Sequence, residues 1–312
     1  MQSALSNEIF ITYVYIAAAM LGSAGLLIGI LSVAGKNLSS VWSTYKGWLI
    51  MVPLALGTIF LGREAIIIGV ALLAIFGFRE FARATGLYSD WWMTGIVYLG
   101  IAALAVASYI DDPRQGLPGW YGLFMALPAY VVAAIVLVPI IRNQADGQLQ
   151  RIALAILGFL YFGWMFSHVG FIANTTYAYG YLLFLIFAVE INDIAAFTCG
   201  KLFGKHRLRE NISPNKTVEG SLGAILVSLV IPFLFSFSFP HLTTWQLILI
   251  GLIVGVGGQL GDLVISYIKR DIGIKDMGSA ISGHGGILDR IDSLIFVAPI
   301  LFHIIRWVVG IR

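Results

Sequence analysis

Residues 244–268 read TWQLILIGLIVGVGGQLGDLVISYI, an apolar stretch broken by one charged side chain, Asp262. A run of that length and polarity crosses the hydrocarbon of a bilayer as a helix, for which about 20 residues suffice. Working outward, stretches of the same character occur at 9–34, 47–62, 64–78, 91–110, 119–141, 151–173, 177–198, 220–239 and 291–311. The pair 47–62 and 64–78 is short and divided only by Arg63 and Glu64, which suggests a tight hairpin or tilted helices. The whole chain is 59% hydrophobic and 11% charged, where a soluble domain carries about 25% charge. The expected fold is all-α, a polytopic integral membrane protein of about nine or ten transmembrane helices with a polar cavity opening to the cytoplasm.

Charge placement orients these spans. With ten crossings, 15 of the 19 Lys and Arg residues fall in one set of alternating loops, leaving only Arg63, Arg114, Arg306 and Arg312 on the other side. Cations concentrate in short cytoplasmic loops, so both termini are expected outside and the two large polar loops, 200–219 and 269–290, inside. Glu8 precedes the first apolar run and no cation does, the reverse of a cleavable signal peptide. Cys199 is the sole cysteine, which excludes an internal disulfide and a cysteine-only metal cage. The small net charge of +3 speaks for anionic headgroups rather than nucleic acid.

Residues 1–175 are spans joined by short loops; residues 176–312 carry the chemistry-bearing groups. Glu190 and Asp193 are three apart, so on a helix they share a face and can share a cation. A carboxylate at membrane depth is a functional candidate by default, although both acids could simply end the span at the water boundary. In the loop that follows, Ser213-Pro214-Asn215-Lys216-Thr217 reads as a turn leading into a helix N-terminus, a setting that suits phosphate. The glycine spacing of a Walker loop is absent, and a basic loop by itself also serves as a topogenic charge run.

The block after Asp262 is denser. It carries Lys269, Arg270, Lys275 and Arg290 with Asp271, Asp276, Asp289 and Asp292, around Gly283-His284-Gly285-Gly286. Cations for phosphate, carboxylates for a divalent metal and glycines for close backbone approach are the parts of phosphoryl or nucleotidyl transfer. Asp289 and Asp292 can point at one metal from the first turn of a helix, or one of them can be a cap. His284 has no second histidine at ligand spacing, which disfavours zinc.

The pattern Ser266-x2-Lys269-Arg270-x4-Lys275-Asp276-x-Gly278-x3-Ser282-x-His284-Gly285-Gly286-x2-Asp289-Arg290-x-Asp292 resembles the signature of the phosphatidate cytidylyltransferases, or CDP-diacylglycerol synthases. Asp193, Gly200-Lys201 and Ser213 to Gly220 are similar to that family's upstream motif, and Gly261-Asp262 to its next element. The resemblance covers 178–312 closely and the N-terminal half only by hydropathy. Ile194-Ala195, Val218 and Ser282 depart from the common pattern, which bears on lipid preference more than on the reaction.

The resemblance implies transfer of CMP from CTP to phosphatidate, giving CDP-diacylglycerol and pyrophosphate, with magnesium and an accompanying potassium ion as cofactors. Asp193, Asp262, Asp289 and Asp292 are the implied catalytic and metal-holding acids. Substrate contacts are expected from Lys201, Ser213, Asn215, Lys216, Lys269, Arg270, Lys275, His284, Gly285, Gly286 and Arg290. The expected partners are CTP, phosphatidate, the lipid bilayer and a second copy in a homodimer, with no nucleic acid. The expected location is the cell membrane, active site inward. A CDP-alcohol phosphotransferase remains an alternative, although its aspartate pattern is not found; a transporter would instead place its site at the bilayer midplane.

Overall fold

Local rules account for most helix boundaries in the computed structural model, which describes residues 4–278 and 286–309. In order, α1 is Glu8–Val33, α2 Ser39–Leu61, α3 Arg63–Ala84, α4 Trp91–Tyr109 and α5 Tyr121–Ile141. Then come α6 at Gln148–Ile172, α7 at Ala178–Phe203, α8 at Val218–Leu234, α9 at Thr244–Asp271 and α10 at Leu288–Val309. Side chains close the orphan amides at several starts: Asn7 accepts from Phe10 N–H, Asp90 from Met93 N–H and Thr217 from Gly220 N–H.

Among the described residues, nine helices are long and apolar enough to cross a membrane, and α8, at 17 residues, is shorter. Connectivity places the two ends of α8 on opposite faces, as a tenth crossing requires, because the following hydrogen bonds and ion pairs join loops of like parity. On one face Arg142 and Arg151 both pair with Asp90, at 2.9 and 3.0 Å, and Arg270 Nε donates to Ile212 O. On the other, Arg63 Nε donates to Asn174 Oδ1 and Tyr181 hydrogen-bonds His241.

Three local expectations are corrected. The segments read as short, 47–62 and 64–78, are full helices of 23 and 22 residues joined at Gly62, whose φ of +99° lets the chain reverse. Helical hydrogen bonding continues through the polar residues at 39–46 and 79–84, beyond the ends of the apolar runs. The span read at 220–239 ends at Leu234, just after Pro232, and gives way to a 3-10 turn at Ser236–Ser238. Ser213–Thr217 does lead into a helix, but as strand β2 rather than a turn, paired antiparallel with β1, Arg207–Arg209. Thr217 then caps α8, so Lys216 projects from a strand edge that the helix end holds in place.

Helices α7, α8 and α9 pack through small residues, which in a membrane let backbones approach where no water-driven force operates. A Cβ on Gly251 would lie 2.5 Å from Ser228 O, and one on Gly261 would lie 2.7 Å from Asp292 O. The second contact brings Asp262, the next residue, beside the start of α10. The buried core runs without a break from α3 through α6 and α7 to α10, across residue 175.

Candidate active site

A cavity of about 630 Å³ opens where α7, the β1–β2 hairpin, α8 and α9 meet. Of the residues singled out by sequence, Asp193, Lys201, Ser213, Asn215, Lys216 and Asp262 line it. Thr217, part of the stretch read as suited to phosphate, lines it too, as do Arg207, Ser221 and Gln259, which the sequence reading did not single out. Gln259 was within reach, being an amide one turn before Asp262 in an apolar helix.

Lys216 Nζ stands 2.7 Å from Asp262 Oδ2. The buried ammonium makes no other polar contact among the described residues. Ser266 Oγ donates to the other Asp262 oxygen at 3.2 Å. Behind the cavity, Gln259 Nε2 donates to Asn192 Oδ1 at 2.8 Å while Asn192 Nδ2 donates to Ser228 Oγ at 2.8 Å. This buried amide pair locks α7, α8 and α9 in register one residue from Asp193 and three from Asp262.

The second predicted group gathers at the α9–α10 junction. Lys269 Nζ donates to Asp289 Oδ1 at 2.8 Å, and Gly286 N–H donates to Asp289 Oδ2 at 3.0 Å. Asp292 accepts from Ser293 N–H, and Ser293 Oγ reaches Gly258 O and, at 3.5 Å, Asp193 Oδ2. Asp292 lies close enough to Asp193, Asp262 and Asp289 to feel all three charges, so the four predicted acids form one electrostatic cluster. Glu190 faces the same cluster and Arg290. Arg270 and Lys275 are exposed; His284 and Gly285 lie outside the described residues.

The N-terminal half enters the site through Glu80 of α3. Its two carboxylate oxygens accept from Ile287 N–H and Leu288 N–H, each at 3.0 Å, capping α10 from across the molecule. A Cβ on Gly278 or Gly286 would each fall 2.6 Å from a Glu80 oxygen, so only glycine lets the backbone come that near. A glutamate just past the end of the apolar run 64–78 was the available signal, but its partner is 207 residues away.

Magnesium prefers hard oxygen ligands and commonly takes one or two carboxylates, completing its shell with water and substrate phosphates. The cluster fits that chemistry: the ion pairs of Lys216 and Lys269 engage Asp262 and Asp289, leaving Asp193 and Asp292 without such a partner among the described residues. Among those residues no three acids converge at ligating distance.

Residues 44–308 match the Cytidylyltransferase family model. The chain belongs to that family. It is 33% identical over 240 residues, 69% of this chain and 80% of the relative, to "Uncharacterized protein YnbB" of Escherichia coli (strain K12). A phosphatidate cytidylyltransferase of Staphylococcus epidermidis is 36% identical over 212 residues, covering 67% of this chain and 81% of its own. One from Staphylococcus saprophyticus reaches 48% over 122 residues, 39% of this chain and 47% of its own. This cytidylyltransferase is therefore a multi-pass membrane nucleotidyltransferase, and the phosphotransferase and transporter readings are set aside.

Proposed function

We propose that the charged cleft is where this membrane enzyme transfers CMP from CTP to phosphatidate, forming CDP-diacylglycerol and pyrophosphate in phospholipid biosynthesis. One observation carries the reading: a single cavity is lined by cations, Lys201, Lys205, Arg207 and Lys216, together with the carboxylates Asp193 and Asp262. Two anionic reactants need the cations, and a divalent ion accompanying the nucleotide needs the carboxylates. A phosphate oxygen of phosphatidate attacks the α-phosphorus of CTP, the new P–O bond forms, and the α–β anhydride bond breaks to release pyrophosphate. No base is required, because the phosphomonoester is already anionic near neutral pH.

Lys216 and Lys269 hold the phosphates in line, each now countered by an aspartate that the substrate complex would re-pair. Asp193 and Asp292, joined by Asp262 and Asp289 once Lys216 and Lys269 turn to phosphate, would hold magnesium, which when bound screens the charge of the two reactants. The strand β2 fixes Lys216, and Glu80 fixes the turn that carries Asp289. Ser213 and Asn215, on the same strand, offer polar contacts to the nucleotide. The cleft is proposed to face the cytoplasm of a cell membrane, supported by the 15 of 19 cations on that face and by the water solubility of CTP. A homodimer is proposed through α1 and α2, the spans least covered by the rest of the chain.

The deciding experiment is the purified protein in detergent with CTP, phosphatidate and magnesium, assayed for CDP-diacylglycerol beside Asp262→Asn. Product from the wild type, loss of most activity in a folded variant, and partial recovery at higher magnesium or with manganese are expected. No product from the wild type would refute the reaction; unchanged turnover and magnesium dependence in the variant would refute the acidic site.

A further inference from the structure

The π-helical turn Gly158–Met165 in the middle of α6 is the one irregular stretch of that span, and it carries Tyr161. Wide turns of this kind re-aim side chains and recur at functional sites. Tyr161 is 6% exposed, packs edge-on against Phe162 and points its hydroxyl inward. Among the described residues that hydroxyl has no hydrogen-bond partner. The turn packs against α10, the helix that carries Asp289 and Asp292, and the hydroxyl lies within electrostatic range of Asp262 and Asp292. A buried hydroxyl normally finds a partner because leaving water without one is costly, so the missing partner here is informative. The aspartates are within electrostatic range yet not bonded to it, and the acidic cluster is where phosphate arrives.

We infer that Tyr161 is a substrate-contacting residue whose phenol O–H donates a hydrogen bond to a phosphate oxygen at the acidic cluster. The inference rests on the proposed reaction and adds to it a group from the N-terminal half that no motif marks. A phenol suits this position because it is a neutral donor that adds no charge beside four carboxylates, and its rigid ring holds the O–H in place. The phosphate belongs either to CTP or to phosphatidate, and the same chemistry serves both.

Tyr161→Phe removes only the oxygen and keeps the ring packing. Measured with CTP and phosphatidate varied in turn, its kcat/KM is expected to fall roughly 10- to 100-fold, the worth of a hydrogen bond to a charged acceptor. Its melting temperature should stay level or rise, because an unpaired buried hydroxyl has been removed. A KM raised for phosphatidate alone assigns the lipid phosphate, one raised for CTP alone assigns the nucleotide, and a fall in kcat alone assigns the transition state. A kcat/KM within twofold of wild type for both substrates overturns the inference, as does a loss of melting temperature in step with the loss of activity. If the wild type makes no CDP-diacylglycerol, the proposed reaction fails and binding decides the rest. Magnesium–CTP or phosphatidate should then raise the wild-type melting temperature more than that of Tyr161→Phe, and equal shifts overturn the inference.

Discussion

Glu80→Gln isolates the contact by which the N-terminal half controls the site. Both carboxylate oxygens accept backbone N–H groups at 3.0 Å, from Ile287 and Leu288. The amide keeps one acceptor and turns an NH2 donor toward the other N–H, so one charge-assisted bond is lost and replaced by a donor facing a donor. Hydrogen bonds to charged groups contribute about 1.5–3 kcal/mol net, to which the favourable placement of negative charge at a helix N-terminus adds about 0.3–1 kcal/mol. Together the loss is about 2–4 kcal/mol, which if confined to this turn raises its opening equilibrium by roughly 30- to 1,000-fold. Hydrogen exchange of a peptide covering 286–290 should accelerate accordingly, while the core of α4 exchanges as in wild type. Turnover should fall as well, because the same turn presents Asp289 to Lys269. Exchange within twofold of wild type across 286–290 would refute the argument that Glu80 fixes this end of the site.

Two further outcomes test the frame around it. Burial opposes the charge of Asp90, but hydrogen bonds from Arg151, the Met93 amide and Arg142 outweigh it and hold the carboxyl below the usual carboxylate range. The folded value thus lies below the unfolded one, so the stabilisation is full above about pH 4 and is lost as pH falls through the folded value. Asp90→Asn should melt lower than wild type at pH 7, with the gap closing below about pH 4; a gap constant with pH would contradict the ion-pair account. In a background lacking Cys199, Asn211→Cys should label only from inside the cell and Gln115→Cys only from outside. The reverse pattern would overturn the orientation.

Whereas the choice between nine and ten spans turned on how the ends of α8 are connected, the reading of the membrane class needed no tertiary information, since each apolar run must be a helix in hydrocarbon whatever its neighbours do. The same holds for the two polar blocks, where Asp193, Lys216, Asp262, Lys269 and Asp289 stand out because charge beside a membrane is costly unless it has a function to serve. Helix ends were less legible: α2 and α3 extend past their apolar stretches, and the strand at 213–217 exists only because residues 207–209 pair with it.

What joined the two polar blocks into one cluster was packing. Glycine contacts between α9 and α10 carry Asp262 to Asp292, and the Asn192–Gln259 amide pair sets the register of α7 against α9. The contact of Glu80 and the setting of Tyr161 could not be recognised in isolation, because they lie in amides 207 residues away and in a π-helical turn. Hydropathy and charge are properties each residue carries along the chain, so the sequence by itself determined the membrane class and marked most of the charged residues of the candidate site. Which distant side chains complete that site depends on how the helices seat against one another, and only the tertiary structure decided it.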